Sequence, residues 1–564
     1  KGVKRVRGLG LHHRDEMEDV QKDLRDTDGV TAIIYEQTCA TEKRRRRKRN
    51  EFPDPPKRVF INERVCEGCG DCSVKSNCIA VEPKETEFGR KRKIDQSSCN
   101  KDFSCVEGFC PSFIELDHPE LRKPDGARIR DIETALFDGL PDVDIAKIDD
   151  AYNVFVTGIG GLGVLTLGAL MGAAARFDDK YSTVLDFTGL AQKNGAVVSH
   201  VRLANRHEDL HAVRIGDGAA DVLLASDALV AAAPENAMAL SPERSSAVIN
   251  TVESPTADNV LNRDFKIPNT VAIRQVTRRV RAGKAHKAAI SDLAVGLFGD
   301  AIAGNVMLLG YAWQKGMIPL SRDAIISAIK LNGVAVEMNI RAFNWGRVAA
   351  HDLKAVEKAI RPEQPAKLPV TGFERNLGEL IDYQDQAYAD RYAALVEETR
   401  VAAERLGVLG SRYRRAVEEY AYKVMAYKDE YEVARLYSSK EYLDSLKQTF
   451  ASWKDVKVWL APPSLNPFSK GDVPKKRKFG SWVFGVFAIL RRMKGLRGTW
   501  ADPFGHTDER RRERQLVEDY FGLIRELNAG VSKENVHLAI ELASLPSDIR
   551  GYGHIKLEAM EAAQ

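Results

Sequence analysis

Residues 66–111 read CEGCGDCSVKSNCIAVEPKETEFGRKRKIDQSSCNKDFSCVEGFCP, and the fold reading starts from this stretch. Its first half runs Cys66-x2-Cys69-x2-Cys72-x5-Cys78. Its second runs Cys99-x2-Asp102-x2-Cys105-x4-Cys110-Pro111. Seven of the eight cysteines of the chain fall between positions 66 and 110. The opening residues, Lys1 to Gln21, are polar and hold no apolar core of a secretion signal. Clustered cysteines in a long chain without an export signal point to metal rather than to disulfides. Cys39 is left over and is expected to be a buried structural thiol.

Laid over one another, the halves resemble the doubled motif of bacterial two-cluster ferredoxins, with one thiolate replaced by Asp102. In that motif the last cysteine of each half ligates the opposite cluster. Cys66, Cys69, Cys72 and Cys110 are thus expected to hold one [4Fe–4S] cubane. Cys78, Cys99 and Cys105 are expected to hold a second cluster, [4Fe–4S] or [3Fe–4S], with Asp102 as a candidate fourth ligand. Two intervening residues let consecutive thiolates curl around one cubane with backbone N–H groups aimed at the sulfurs. Gly68, Gly70 and Gly108 permit close backbone approach, and Pro111 turns the chain away after the last ligand. Asp102 is a hard oxygen donor where soft sulfur is preferred. Structural zinc is the competing reading, but zinc sites usually use two cysteine pairs.

The chain has 564 residues, enough for roughly three or four domains. Hydrophobic residues at 44% and charged residues at 29% describe an ordinary globular composition. A net charge of +4 on 84 basic and 80 acidic residues argues against bulk nucleic-acid binding. No apolar run is long enough to cross a bilayer. Trp482 to Leu490 is short and bracketed by basic residues, so a buried or docking helix is expected there. Cytoplasmic residence is the default. The chain opens on Lys1 rather than Met, and is read as the ordered or processed part of something longer.

Arg14 to Arg25 has helical character, and Val30 to Tyr35 (VTAIIY) suits a buried parallel strand. Lys43 to Arg49, KRRRRKR, followed by Pro53, Pro55 and Pro56, marks an exposed connection. That run could bind acidic ferredoxin, coenzyme A phosphates or nucleic acid, but a solvated strap is favoured. From Asn153 onward, apolar runs at Val154–Val156, Thr183–Leu185, Val222–Ala225 and Ala247–Ile249 alternate with helical stretches. This rhythm implies βαβ units and a mostly parallel sheet. After Pro362, Pro365 and Pro369 the sequence is charged and helical to its end.

Gly158-x-Gly160-Gly161-x-Gly163 follows a strand and opens a helix, and Asp186 ends the next apolar run. Alone this favours NAD(P) or FAD binding. The other reading is a tight structural turn, and the flanking residues favour it. A second Gly-rich loop, Gly189 to Gly195, is followed by Gly304 to Gly310 and by Asn339 to Arg347. This arrangement resembles the γ domain of 2-oxoacid:ferredoxin oxidoreductases, where the Gly-rich turn is not a nicotinamide site.

The order YEQTCATEKRRRRKR, VCEGCGDC, GIGGLG, then LAPP and DPFGHTDERRRER resembles the C-terminal half of fused indolepyruvate ferredoxin oxidoreductases. The resemblance implies thiamine diphosphate-dependent oxidative decarboxylation of an arylpyruvate. Coenzyme A would capture the acyl group, and electrons would pass through the clusters to ferredoxin. It implies a homodimer, with no nucleic-acid or membrane partner.

It also divides the chain. Residues 1–50 would end a thiamine-binding α/β domain, 51–118 form a ferredoxin-like α+β iron–sulfur module and 119–150 a linker. Residues 151–362 would form a doubly wound, Rossmann-like γ domain with a mostly parallel sheet, and 363–564 an all-α extension.

Gly216-Asp217-Gly218 has no Asn-Asn pair after it, so no thiamine or Mg2+ ligand is assigned in these residues. The thiamine half would be absent from them, disordered, or on another polypeptide. Lys193 and Asn194 are the candidates to face the thiamine site, and no general acid, base or nucleophile is legible. Two rival classes stand beside this reading: an iron–sulfur oxidoreductase holding NAD(P) or FAD at Gly158–Gly163, and a zinc-stapled scaffold binding nucleic acid.

Overall fold

A computed structural model describes residues 9–141, 143–189, 195–360, 371–461 and 476–563. The chain divides into two units, residues 1–54 and 55–564.

In the first unit, α1 (Met17–Arg25) and α2 (Ala40–Lys48) are helices without a buried residue. Two expectations fail here. Val30 to Tyr35 forms no strand; Val30 and Ile34 are among the most exposed apolar residues of the protein. A β-branched run becomes a strand only where a sheet offers partners, and this unit has none among its described residues. The basic run is helical and has no buried residue, forming α2. Straight-chain cations are good helix formers, and Arg46 donates to Glu42 one turn earlier at 3.0 Å. Cys39 is not buried. It is exposed at the N-terminal end of α2, where backbone N–H groups of Glu42 and Thr41 draw its thiol pKa down.

The second unit begins with the cysteine module. Strands β1 (Lys57–Ile61) and β4 (Phe113–Asp117) pair antiparallel, and β2 (Val81–Thr86) and β3 (Gly89–Ile94) form a hairpin. The short helix α3 (Asp71–Ser76) follows the first cysteine loop. Alternation along β1 separates two cores. Val59 and Ile61 pack toward Cys66, Cys72 and Cys105, whereas Phe60 packs toward Tyr437 and Phe450 on the other face.

The stretch 119–150, expected as a linker, holds β5 (Glu120–Leu121) and the helix α4 (Gly126–Asp138). Ile129 of α4 is fully buried in the next core. Glu133 anchors α4 by accepting from Arg341 at 2.7 and 2.9 Å and from Trp345 Nε1 at 2.7 Å.

Six strands follow: β6 (Ala151–Ile159), β7 (Tyr181–Thr188), β8 (Ala196–Ala204), β9 (Val222–Ala225), β10 (Ser246–Asn250) and β11 (Ala285–Ala288). They form one sheet in the order β11-β10-β9-β6-β8-β7. The pairs β6–β9, β9–β10 and β10–β11 are parallel; β8 runs antiparallel to both β6 and β7. Helix α5 (Val164–Phe177) leads from β6 across one face. Val154, Val156 and Leu224 point into that core, and Phe155, Leu223 and Ile249 into a second core opposite. Both faces are covered, as a mostly parallel sheet requires.

Residues 371–563 are mainly helical, but not wholly so. They also supply β12 (Phe450–Ser452), β13 (Asp455–Leu460) and β14 (Arg477–Phe479). Strand β13 pairs antiparallel with β4, giving a sheet of order β1-β4-β13-β14. The all-α expectation is corrected there: DVKVWL alternates as a strand should and completes the open edge of β4. Within 480–490, residues Val483–Leu490 form a helix whose Phe487 stacks on Tyr437 at 5.4 Å between ring centroids. No helix among the described residues is long and apolar enough to cross a membrane.

Candidate metal centre

The cysteine loops leave β1 and return on β4, so the sheet fixes both ends of the motif. Cys66 and Cys72 are buried, and Cys69 and Cys110 are partly so. Together the four line one small enclosed cavity with Ile61, Phe113 and Gly108. Burial pushes the Cys69 thiol up to about 12, with the Cys110 and Cys66 sulfurs adding to the rise. Cys72 is raised further, by burial and then by Cys110, Cys66 and Cys69. The second set is likewise brought together. Burial raises Cys99, with Cys78 and Asp102 contributing; burial raises Cys105, with Cys99, Cys78 and Asp102 contributing. Asp102 itself is exposed and accepts from Ser104 Oγ at 3.0 Å.

The two loops share a backbone conformation that their side chains do not advertise. Gly68, two residues after Cys66, has φ +67° and donates its N–H to Cys66 Sγ at 3.3 Å. Lys101, two residues after Cys99, has φ +53° and donates to Cys99 Sγ at 3.4 Å. Gly70 and Phe103, each four residues past the first cysteine of its loop, match again at +84° and +68°. Non-glycine residues avoid this left-handed region, which costs roughly 1–2 kcal/mol per residue. Two of them adopting it at the ligand loop mark a conformation imposed by its role rather than by local preference. At Gly68 the requirement is also steric: an added Cβ would lie 2.2 Å from the Arg90 carbonyl oxygen of β3.

These residues fit iron–sulfur clusters. The donors are soft, buried and mutually repelling as thiolates, so they need a cationic centre. Among the described residues no three His, Cys, Asp or Glu side chains converge on a single ion. A cubane is held at four separate irons, so its ligands ring a void rather than meet at a point, as Cys66, Cys69, Cys72 and Cys110 do around their cavity.

The first ligand set, Cys66 to Cys72 with Cys110, is clasped from far along the chain. Tyr552 donates to Val65 O and Tyr437 to Pro111 O, both at 2.5 Å. Lys428 donates to Cys66 O and Lys476 to Cys110 O, both at 3.3 Å. Lys428 also pairs with Glu67. Burial alone would raise the Glu67 carboxyl, but Lys428 and then Lys91 hold it at about 2. No sequence signal pointed to these residues. They are common types, hundreds of positions away, with no shared spacing.

The glycine loop is closely packed against its neighbours. Gly160 donates to Gly195 O at 2.8 Å, and Gly163, at φ +75°, lies against Asn305 of helix Gly304–Gln314. Asn305 Nδ2 donates to Gly163 O at 3.3 Å and occupies the space a Cβ would need. Asp186 lies on β7, which β8 separates from β6. The dinucleotide fingerprint wants its acidic residue on the strand beside the glycine turn. Lys193 and Asn194 lie outside the described residues.

Residues 153–349 match the family model "Pyruvate ferredoxin/flavodoxin oxidoreductase", and residues 372–564 match "Family of unknown function (DUF6537)". Indolepyruvate oxidoreductase subunit IorB of Methanothermobacter thermautotrophicus is 29% identical over 201 residues, 35% of this chain and 97% of that protein. The subunit of the same name from Pyrococcus horikoshii is 27% identical over 205 residues, 36% of this chain and 97% of its own length. Among solved structures, the pyruvate oxidoreductase subunit PORC of Thermotoga maritima aligns at 19% identity with a TM-score of 0.27, covering 35% of this chain and 96% of that one. The pyruvate ferredoxin/flavodoxin oxidoreductase model falls on the domain that carries the glycine loop and the six-stranded sheet. Over those residues the chain carries a pyruvate ferredoxin/flavodoxin oxidoreductase domain, and the chain is similar to indolepyruvate oxidoreductase subunits.

Proposed function

We propose that this chain is the electron-transfer and γ portion of a thiamine diphosphate-dependent 2-oxoacid:ferredoxin oxidoreductase that acts on an arylpyruvate such as indolepyruvate. The substrate assignment rests on the indolepyruvate oxidoreductase subunits that share its γ domain. The electron-transfer assignment rests on one observation: two cysteine loops with matching left-handed residues and matching N–H to sulfur bonds. Cys66, Cys69, Cys72 and Cys110 would hold one [4Fe–4S] cluster. Cys78, Cys99 and Cys105, with Asp102, would hold a second, [4Fe–4S] or [3Fe–4S]. When bound, such clusters supply one-electron transfer.

The chain's own residues prepare that chemistry. The Gly68 and Lys101 N–H groups donate to ligand sulfurs, and hydrogen bonds of this kind stabilise added negative charge. Lys428 and Lys476 place cations at the carbonyls of Cys66 and Cys110. Phe113 and Ile61 close the cavity floor against water. Outside, a groove lined by Lys57, Lys75, Lys476 and Lys478 with Phe103 and Trp459 passes over Asp102. Its four lysines, set among Asp71, Asp102, Glu107 and Glu115, offer pairing sites to the carboxylates of a partner such as ferredoxin. Coenzyme A as acyl acceptor, a homodimeric assembly and cytoplasmic residence complete the reading. The Gly158–Gly163 loop is structural in it, consistent with Asn305 packed on Gly163.

Stopped-flow mixing of the dithionite-reduced chain with oxidised ferredoxin or with NAD(P)+ tests the proposal. Electron transfer to ferredoxin and none to NAD(P)+ is expected. Transfer to NAD(P)+ alone would overturn it.

A further inference from the structure

Beside the first cysteine loop, at Glu67, lies a cavity of about 920 Å³ that shares no lining residue with the groove over Asp102. Its walls come from the cysteine module, from residues 264–266 of the γ domain and from the helical region after 371. Eleven Lys and Arg side chains line it against seven Asp and Glu, an excess that the near-neutral chain as a whole does not share. Several of these cations are matched: Lys428 with Glu67, Lys556 with Glu513, Arg550 with Asp264. Two deep ones have no ion pair of their own and share the charge of Glu67 with Lys428 and Lys556. Lys423 donates only to the carbonyls of Pro546, at 2.5 Å, and Ser547, at 3.1 Å. Lys91, 7% exposed, has no hydrogen bond and no ion pair.

Buried ammonium groups that outnumber their counter-charges are costly, and natural proteins seldom retain them without use. Burial draws Lys91 down to about 8, with Lys428 adding to the fall, and Lys423 to about 7, with Arg550 and Lys91 adding; Glu67 works against both. One carboxylate shared among several ammonium groups does not balance them. The space beside them is left open and wide enough for a nucleotide-sized ligand. We propose that this cavity is a binding site for a phosphate-bearing anion, with Lys91 and Lys423 as its principal charge partners and Arg550 and Lys556 at its margin. Lys is a point-charge partner for phosphate, so two converging ammonium groups suit a diphosphate better than a monocarboxylate. The assignment is independent of the cluster chemistry, since it uses only the cavity and its cations.

The test is calorimetric titration of the anaerobically purified full chain with pyrophosphate and, separately, with ADP. Binding of at least one is expected, weakening as salt rises. ADP tighter than pyrophosphate assigns a nucleotide, and the reverse order an inorganic diphosphate. In Lys91→Met the bound anion should be held roughly tenfold more weakly or worse. Without ligand, the same variant should melt at the same temperature or higher, because one of several buried ammonium groups sharing Glu67 has been removed. Lys423→Met should behave alike, which guards against a local folding fault in either variant. Failure of both probes to bind below about 1 mM, or wild-type affinity in Lys91→Met, would overturn the assignment.

Discussion

Replacing Gly68 by alanine tests the loop geometry that underlies the metal assignment. Two costs add. Alanine at φ +67° takes a left-handed penalty of roughly 1–2 kcal/mol. Its Cβ would also stand 2.2 Å from the Arg90 carbonyl oxygen, which belongs to strand β3 and cannot swing aside like a side chain. Ordinary contact needs a separation beyond 3.4 Å, so the loop must retreat by more than an ångström. Overpacking of this sort costs about 1–3 kcal/mol. Gly89→Ala is the matched control: its φ is +81°, yet nothing lies within 4 Å of the added carbon.

Gly68→Ala should therefore be about 1–3 kcal/mol less stable than Gly89→Ala. Because the retreating segment carries Cys66 and Cys69, it should also lose the first cluster and keep the second. Thermal melting with iron and sulfide quantification on both variants reads the result. Equal stability and full iron content in Gly68→Ala would refute the claim that this close approach places the ligands.

Three further outcomes follow from other contacts. Glu133→Ala strands Arg341 and the buried Trp345 N–H together, and should cost about 3–5 kcal/mol in urea unfolding. Paired Tyr437→Phe and Tyr552→Phe changes remove two hydrogen bonds to the carbonyls flanking the first ligand set, at about 1 kcal/mol each. Iron should then be released to a chelator faster from the first cluster than from the second. His200, packed between Phe155 and Phe187 and accepting the Ile215 N–H, is held neutral by burial with its pKa near 4. In the unfolded chain it takes a proton near pH 6.5. Stability should thus fall as pH drops below about 6.5, the loss levelling off below about 4. His200→Gln should flatten that part of a pH-stability profile.

The features legible in the sequence are those encoded by neighbours in the chain. Ligand spacing is local, so both cysteine sets could be written down from the motif, and the structure gathers each. The strand–glycine–helix rhythm is equally local, and it located β6, β9 and β10. Helix α4 was missed although its signals were present: Asp125 caps it, accepting from Arg128 N at 3.1 Å, and Gly139 follows its end. Three prolines drew attention away from them. Other features depend on partners distant in sequence. Strand β13 exists because β4 has an open edge, and Val30 to Tyr35 fails as a strand because no edge meets it. The left-handed Lys101 and Phe103 carry no glycine to announce them. Tyr437, Tyr552, Lys428 and Lys476 reach the first ligand set only through the tertiary fold.

The central claim, a paired iron–sulfur relay built into this γ-domain protein, is tested most directly by EPR spectroscopy with iron and sulfide counts on the anaerobically purified chain. The account predicts roughly seven or eight irons per chain in two clusters, one of them altered by Asp102→Cys and untouched by Cys66→Ser. Zinc without sulfide, or a single cubane unaffected by any change at Cys78, Cys99 or Cys105, would contradict it.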